Sequence, residues 1–169
     1  IVVFLSLSIS SSVELMREIS VHSGWLKETL GLSIKLRCHP MVKKTKLLRA
    51  VGWQELPAGW QWAEAPLIDV LEKTDCVISH STGSVIDAIL KDCMIILIDS
   101  ELEPSWNYLD CLVDVHEILK PIPIAQLPTR LTEFFGQDRP NIRAEFLRIQ
   151  IKLRDGLEQI TEETLANFL

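Results

Sequence analysis

The stretch Thr74–Ser100, TDCVISHSTGSVIDAILKDCMIILIDS, decides the fold class of this chain. Cys76-Val77-Ile78 is a short apolar run that reads as a buried strand. Ser79-His80-Ser81-Thr82-Gly83-Ser84 follows with small hydroxylated residues and a glycine. Val85, Ile86, Ile89 and Leu90 then recur at helical spacing, and Met94–Ile98 is apolar throughout, a second buried strand. Strand, polar loop, helix and strand make one parallel crossover unit. In an open α/β sheet, the loop after a strand's carboxyl end gathers backbone N–H groups and a helix start around an anion such as phosphate.

Working outward, Ile1–Leu5 is uniformly apolar and β-branched, as a strand covered on both faces must be. Ser6–Ser12 is a serine-rich turn with Ser12 as the expected N-cap, and Val13, Met16, Ile19, Val21 and Trp25 mark a helix to about Leu30, stopped by Gly31. Ser33–Arg37 reads as a second strand ending in Cys38-His39-Pro40, where the proline holds His39 extended. A short helix over Lys43–Val51, a strand over Trp60–Ala63 and a helix over Leu67–Thr74, with Pro66 in its first turn, lead back to the opening stretch. Beyond it, a last short strand is expected at Cys111–Val115 after the loop Glu101–Leu109. Helices are expected over about Ile124–Phe135, Asn141–Asp155 and Thr161–Leu169.

This alternation predicts an α/β fold, a Rossmann-like doubly wound parallel sheet of about five or six strands, with a C-terminal helical tail. The sheet is expected over residues 1–120 and the tail, packed on the same domain, over 121–169. The abrupt start inside a strand-like run reads as a piece of a larger two-domain protein. The first turn lacks the GxGxxG fingerprint, which disfavours a nicotinamide dehydrogenase.

Composition narrows the function classes. At 169 residues, with 47% hydrophobic and 24% charged residues, the chain is globular and large enough for a proper core. A net charge of −6 argues against bulk nucleic-acid binding. The basic runs Lys43-Lys44-Thr45-Lys46 and Arg139–Arg154 read as solvated faces. Cys38, Cys76, Cys93 and Cys111 show no CxxC spacing, so neither a metal site nor a disulfide framework is expected, and a reduced, cytoplasmic compartment is the default. Ile1–Leu7 is too short an apolar run to span a bilayer.

Three loops at strand ends carry candidate chemistry: Ser6–Ser12, Cys38-His39-Pro40 and Ser79–Ser84. The hydroxyls of Ser81, Thr82 and Ser84 with the flexible Gly83 suit a phosphate or diphosphate, and they equally suit an ordinary N-cap and turn. His39 can donate to a phosphate oxygen, and His80, inside the loop, is the second candidate. Asp87, one turn into the following helix, can accept from ribose hydroxyls or simply suit the helix dipole. Trp53, Trp60 and Trp62 could stack on a base or pack at the core boundary, while Asp99, Glu101 and Glu103 read as loop solvation.

Taken together, Lys35-Leu36-Arg37-Cys38-His39-Pro40 and Asp75–Ala88, in this order and spacing, resemble the C-terminal, donor-binding half of GT-B glycosyltransferases. The resemblance covers about Ile1–Val115 and is to the branch with a His-Pro motif and a Ser-Ser/Thr motif. That branch includes sialyl-, polysialyl- and Kdo transferases and teichoic-acid glycerophosphotransferases, which use CMP- or CDP-linked donors. It implies that His39 is the catalytic histidine contacting the donor phosphate and supporting the departing nucleotide. Ser81, Thr82, Gly83 and Ser84, with His80, would hold the phosphates, and Asp87 the ribose. It further implies no metal or other cofactor and a glycan acceptor bound through a missing N-terminal domain. The setting would be cytoplasmic, at the inner face of a membrane with which the full protein associates peripherally. Two positions depart from the family pattern: Asp87 replaces a glutamate and is shorter by one methylene, and Lys91-Asp92-Cys93 stands where a glycine is usual. A UDP-sugar transferase or 2-epimerase-like enzyme, and a non-catalytic GT-B-like or flavodoxin-like interaction module, remain alternative readings of the same scaffold.

Overall fold

The computed structural model describes residues 1–80, 83–100, 102, 109 and 116–168, with 158–168 as helix backbone only. Six strands, β1 (Val2–Phe4), β2 (Ile34–Arg37), β3 (Trp60–Trp62), β4 (Cys76–Ser79), β5 (Met94–Asp99) and β6 (Ile122–Pro123), form one sheet in the order β3-β2-β1-β4-β5-β6. Every neighbouring pair is parallel. This is the Rossmann-like, doubly wound arrangement expected from the alternation of elements.

Helices α1 (Ile9–Glu28) and α2 (Lys44–Val51) pack side by side, and right-handed crossovers put them on one face of the sheet. The chain then returns through α3 (Leu67–Leu71) to β4, and α4 (Ser84–Leu90), α5 (Leu127–Phe135) and α6 (Arg139–Phe168) build the opposite face. The strand sequences record this cover. β1 and β4 are buried at every residue, and β5 at all but its last, whereas β2 alternates buried and half-buried residues. A five-residue α3 leaves the second face of β2 and β3 partly open as a groove of about 380 Å³ lined by Lys35, Gln61, Trp62, Asp69, Glu72 and Lys73.

Local chemistry sets the element ends. α1 is capped by Ser8, whose hydroxyl accepts from the Ser11 N–H, and not by Ser12, which is fully buried in the first turns. The helix closes with Gly31 at φ 63°, a conformation that lets the Leu32 N–H reach back to the Leu26 carbonyl. The last strand of the sheet is Ile122–Pro123, which the sequence pattern does not reveal because two residues show no periodicity. The strand expected at Cys111–Val115 lies outside the described residues. The two final helices expected from the sequence are one continuous helix, α6. Gly156 does not break it, since an isolated glycine costs a helix only about 1 kcal/mol.

α6 is fixed by polar contacts as well as by Phe146, Ile149 and Leu153 in the core. Arg139 and Arg143 both donate to Asp75 Oδ1, at 2.8 and 2.9 Å. Asp92 has φ 61°, the left-handed conformation a glycine would adopt freely. Gln150, 3% exposed, donates to Asp92 Oδ1 at 2.6 Å and to the Ile89 and Leu90 carbonyls at 3.0 and 3.2 Å. The left-handed turn at Asp92 is thus held by Gln150, 58 residues further along the chain, whose amide also serves the last carbonyls of α4.

Candidate functional site at the carboxyl edge of the sheet

The strand order reverses between β1 and β4, so the crevice of this fold lies over the carboxyl end of β1. The register is specific about what borders it. Phe4, the last residue of β1, pairs with Arg37 of β2 on one side and Ser79 of β4 on the other. The turn that carries His39 begins just after Arg37, and β4 ends at Ser79, so that turn and the end of β4 stand at the same level on either side of β1. Two strand spacings separate them, roughly 10 Å. The short loop through Ser6 and Ser8 and the first turn of α1 fill the middle.

That middle loop largely bonds to itself. The Ser6 hydroxyl donates to the Ser8 carbonyl, the Ser12 hydroxyl to the Ser6 carbonyl, and the Ser11 hydroxyl to Ser8 Oγ. Ser11 and Ser12 are buried, so their hydroxyls hold the loop's shape.

His39 is half-buried, and its Nδ1 accepts from the Met41 N–H at 3.2 Å within the turn closed by the Val42 N–H on the His39 carbonyl. Accepting at Nδ1 places the ring proton on Nε2, which has no partner among the described residues. Pro40, the second residue of that turn, fixes its backbone. His39 is therefore a preset hydrogen-bond donor at the edge of the crevice.

His80 is placed otherwise. It is 5% exposed, with Nδ1 3.2 Å from the Ile98 carbonyl oxygen and Nε2 3.0 Å from that of Ser11. Both partners are acceptors and a neutral imidazole carries a single N–H, so one carbonyl receives it while the other faces the ring. Buried between them, His80, which the sequence suggests as a phosphate ligand, lies between the ends of β4 and β5 and the first turn of α1. Glu14, which the sequence reading passed over, belongs to this cluster. Its Oε2 lies 3.9 Å from His80 Nε2 and accepts from the Ser100 hydroxyl at 2.9 Å. No local pattern marks Glu14, because its partners are 66 and 86 residues away.

Of the expected phosphate loop, Ser81 and Thr82 lie outside the described residues, as do Glu101 and Glu103. Ser84 opens α4 and is half-buried. Gly83 has φ −59° and ψ −23°, ordinary helical values, and a Cβ built on it would meet nothing within 4 Å among the described residues. Neither backbone strain nor internal packing calls for glycine there. Asp87 is exposed on the outer surface of α4.

The tryptophans divide as packing. Trp60, at the amino end of β3, meets Trp53 edge-on at 5.8 Å, and the Lys44 ammonium lies over the Trp62 ring at 5.4 Å while pairing with Glu64. Burial pushes the Cys76 thiol up to about 12 and that of Cys93 up to about 11. Both stay protonated at neutral pH and are inert as nucleophiles. Among the described residues, no three His, Cys, Asp or Glu side chains come together as a metal site, and no helix is long and apolar enough to cross a membrane.

Fold and edge together define a Rossmann-like α/β domain with polar residues at the topological switch point of its sheet. Compared with known protein families and with curated proteins, the chain matches none.

Proposed function

We propose that this chain is the donor-nucleotide-binding domain of a GT-B-type glycosyl- or glycerophosphotransferase, holding a CMP-, CDP- or UDP-linked donor over the end of β1. The observation that carries this reading is the register, which sets the His39 turn and the end of β4 at Ser79 at one level about 10 Å apart, a span suited to a sugar-linked phosphate or diphosphate. His39 Nε2–H donates to a donor phosphate oxygen and supports charge on the departing nucleotide. Ser81, Thr82 and Ser84 supply hydroxyls, and Gly83 lets the phosphate approach the backbone closely. Asp87 reaches the ribose from the first turn of α4. The acceptor is held by a second domain, and His80 shapes the site from beneath without touching the ligand.

Isothermal titration of the 169-residue chain with CMP, CDP, UDP and GDP tests the reading. Binding of a cytidine nucleotide at millimolar or lower Kd is expected, weakened about ten- to a hundredfold in His39→Ala, the loss of one hydrogen bond to a charged group. A preference for UDP would point to the UDP-sugar enzymes. No binding to any nucleotide by a chain with a cooperative melt would overturn the reading in favour of an interaction module.

A further inference from the structure

The amino edge of the sheet carries a second concave site. Between the last turns of α1 and the starts of β2 and β3 lies a half-open pocket of about 300 Å³. Three of the residues lining it are glycines, and a Cβ built on Gly24, Gly31 or Gly59 would meet nothing within 4 Å. Gly31 and Gly59 have φ 63° and 86°, so the backbone asks for glycine at both. Gly24 is different. It lies inside α1, where glycine weakens a helix, and neither packing nor a left-handed backbone calls for it. Its missing side chain keeps the pocket open.

The pocket also holds unspent donors. Trp60 is 8% exposed, and its indole N–H has no acceptor among the described residues. That nitrogen is not sealed in the core, because among the described residues the buried side-chain polar atom left without a partner is His116 Nε2. The Trp60 N–H therefore opens on the space its residue borders, which is this pocket. Lys27 is the sole charged residue of the lining and has no carboxylate partner among the described residues. The Ser33 hydroxyl is likewise without a partner among them. Leu32, Ile34 and the Trp60 ring supply the apolar wall.

We propose that this pocket binds a small monocarboxylate with an apolar body. The Lys27 ammonium and the Trp60 indole N–H receive the carboxylate, and the body lies against Leu32 and Ile34. A lining with one cation and no acid selects against positive and zwitterionic ligands. The apolar wall selects against inorganic phosphate, whose oxygens would lose water there without gaining donors. The volume stands at the small end for ligand sites and suits a molecule of about ten non-hydrogen atoms. The proposal is independent of the nucleotide reading, since pocket and crevice lie at opposite edges of the sheet.

Heteronuclear NMR of the isotope-labelled 169-residue chain, titrated with phenylacetate and followed at the tryptophan indole resonances, tests this. The Trp60 signal is identified by its absence in Trp60→Phe. A saturable shift of that signal is expected, with a Kd of about 1 mM or lower. Phenylacetamide, which lacks the charge, and acetate, which lacks the ring, should each bind about tenfold more weakly or worse. Lys27→Met should weaken phenylacetate by about tenfold. Gly24→Leu should fill the pocket and abolish the shift, while its melting temperature holds or rises because leucine favours a helix. Circular dichroism melts keep the comparison to folded chains, and Lys27→Met, at an exposed position, carries the test should Gly24→Leu fail to fold. No shift with phenylacetate, an equal Kd for phenylacetamide, or an unchanged Kd in folded Gly24→Leu or in Lys27→Met would each overturn the proposal.

Discussion

The two edges of the sheet are built for different ends. At the amino edge, charged and apolar groups are largely spent on one another: Asp75 takes two arginines, Trp60 meets Trp53, and the thiols of Cys76 and Cys93 are buried. Two half-open pockets lie there as well. One cavity of about 300 Å³ is bordered by Lys27, Gly31, Gly59 and Trp60, and another of about 270 Å³ by Cys93, Arg143 and Phe146. At the carboxyl edge the polar groups are held in place yet not all used. His39 keeps a free ring N–H among the described residues, and Gly83 keeps an open surface. Cavity volume by itself marks imperfect packing between elements, whereas donors left unspent around it, or converging at a strand-order reversal, mark where a ligand can be held.

Substitutions should separate the two edges, and the largest effect belongs to the amino edge. Trp60→Ala removes a buried aromatic and its edge-on partner, so unfolding free energy from urea melts should fall by about 3–5 kcal/mol. Nucleotide affinity of the folded fraction should not change. A parallel loss of affinity in calorimetry would break the separation. Gln150→Leu strips the Ile89 and Leu90 carbonyls and Asp92 of their donor and should cost about 1–3 kcal/mol, again without touching affinity.

Gly83→Ala is the converse. With helical dihedrals and open space at the Cβ, stability should hold or rise by about 0.4–1 kcal/mol. The added methyl group should cost about tenfold or more in nucleotide affinity, so an unchanged Kd would remove the reason offered for a glycine at that position.

Alkali should act through the amino edge. The folded thiols of Cys76 and Cys93 keep their protons above 9.0, the ordinary value at which unfolded ones lose them. The folded state therefore binds more protons above that pH, and stability falls as pH rises toward about 11 for Cys93 and about 12 for Cys76. The slope is at most about 1.4 kcal/mol per pH unit per thiol. In Cys76→Ala the slope should be shallower. Identical alkaline curves for the two chains would show that the Cys76 thiol is not the group that titrates.

How far these features were legible depends on the range of the interactions behind them. The buried runs Cys76–Ile78 and Met94–Ile98 and the helical spacing of Val85–Leu90 announced their elements, because cover on both faces of a parallel strand demands continuous apolar sequence. Helix ends were less legible. Ser8 and Ser12 are equally good N-caps by residue type, and what separates them is that packing buries Ser12. Asp92 looked like a departure from a glycine turn, and only Gln150 explains how an aspartate is held there. His39 was legible as a candidate through Pro40, its neighbour. His80 was not, since its ring is claimed by carbonyls 18 and 69 residues away.

The sequence by itself determined the class of fold, the order of its elements and the three loops at strand ends where polar chemistry gathers. These follow from periodicity and turn chemistry, which act over a few residues. Only the tertiary structure decided which loop residues remain available and which are consumed. It brought the His39 turn level with the end of β4 across β1, drew His80 inward, and tied α6 to α4 through Gln150. Those outcomes depend on hydrogen bonds and packing between segments far apart in the chain, and no local pattern encodes them.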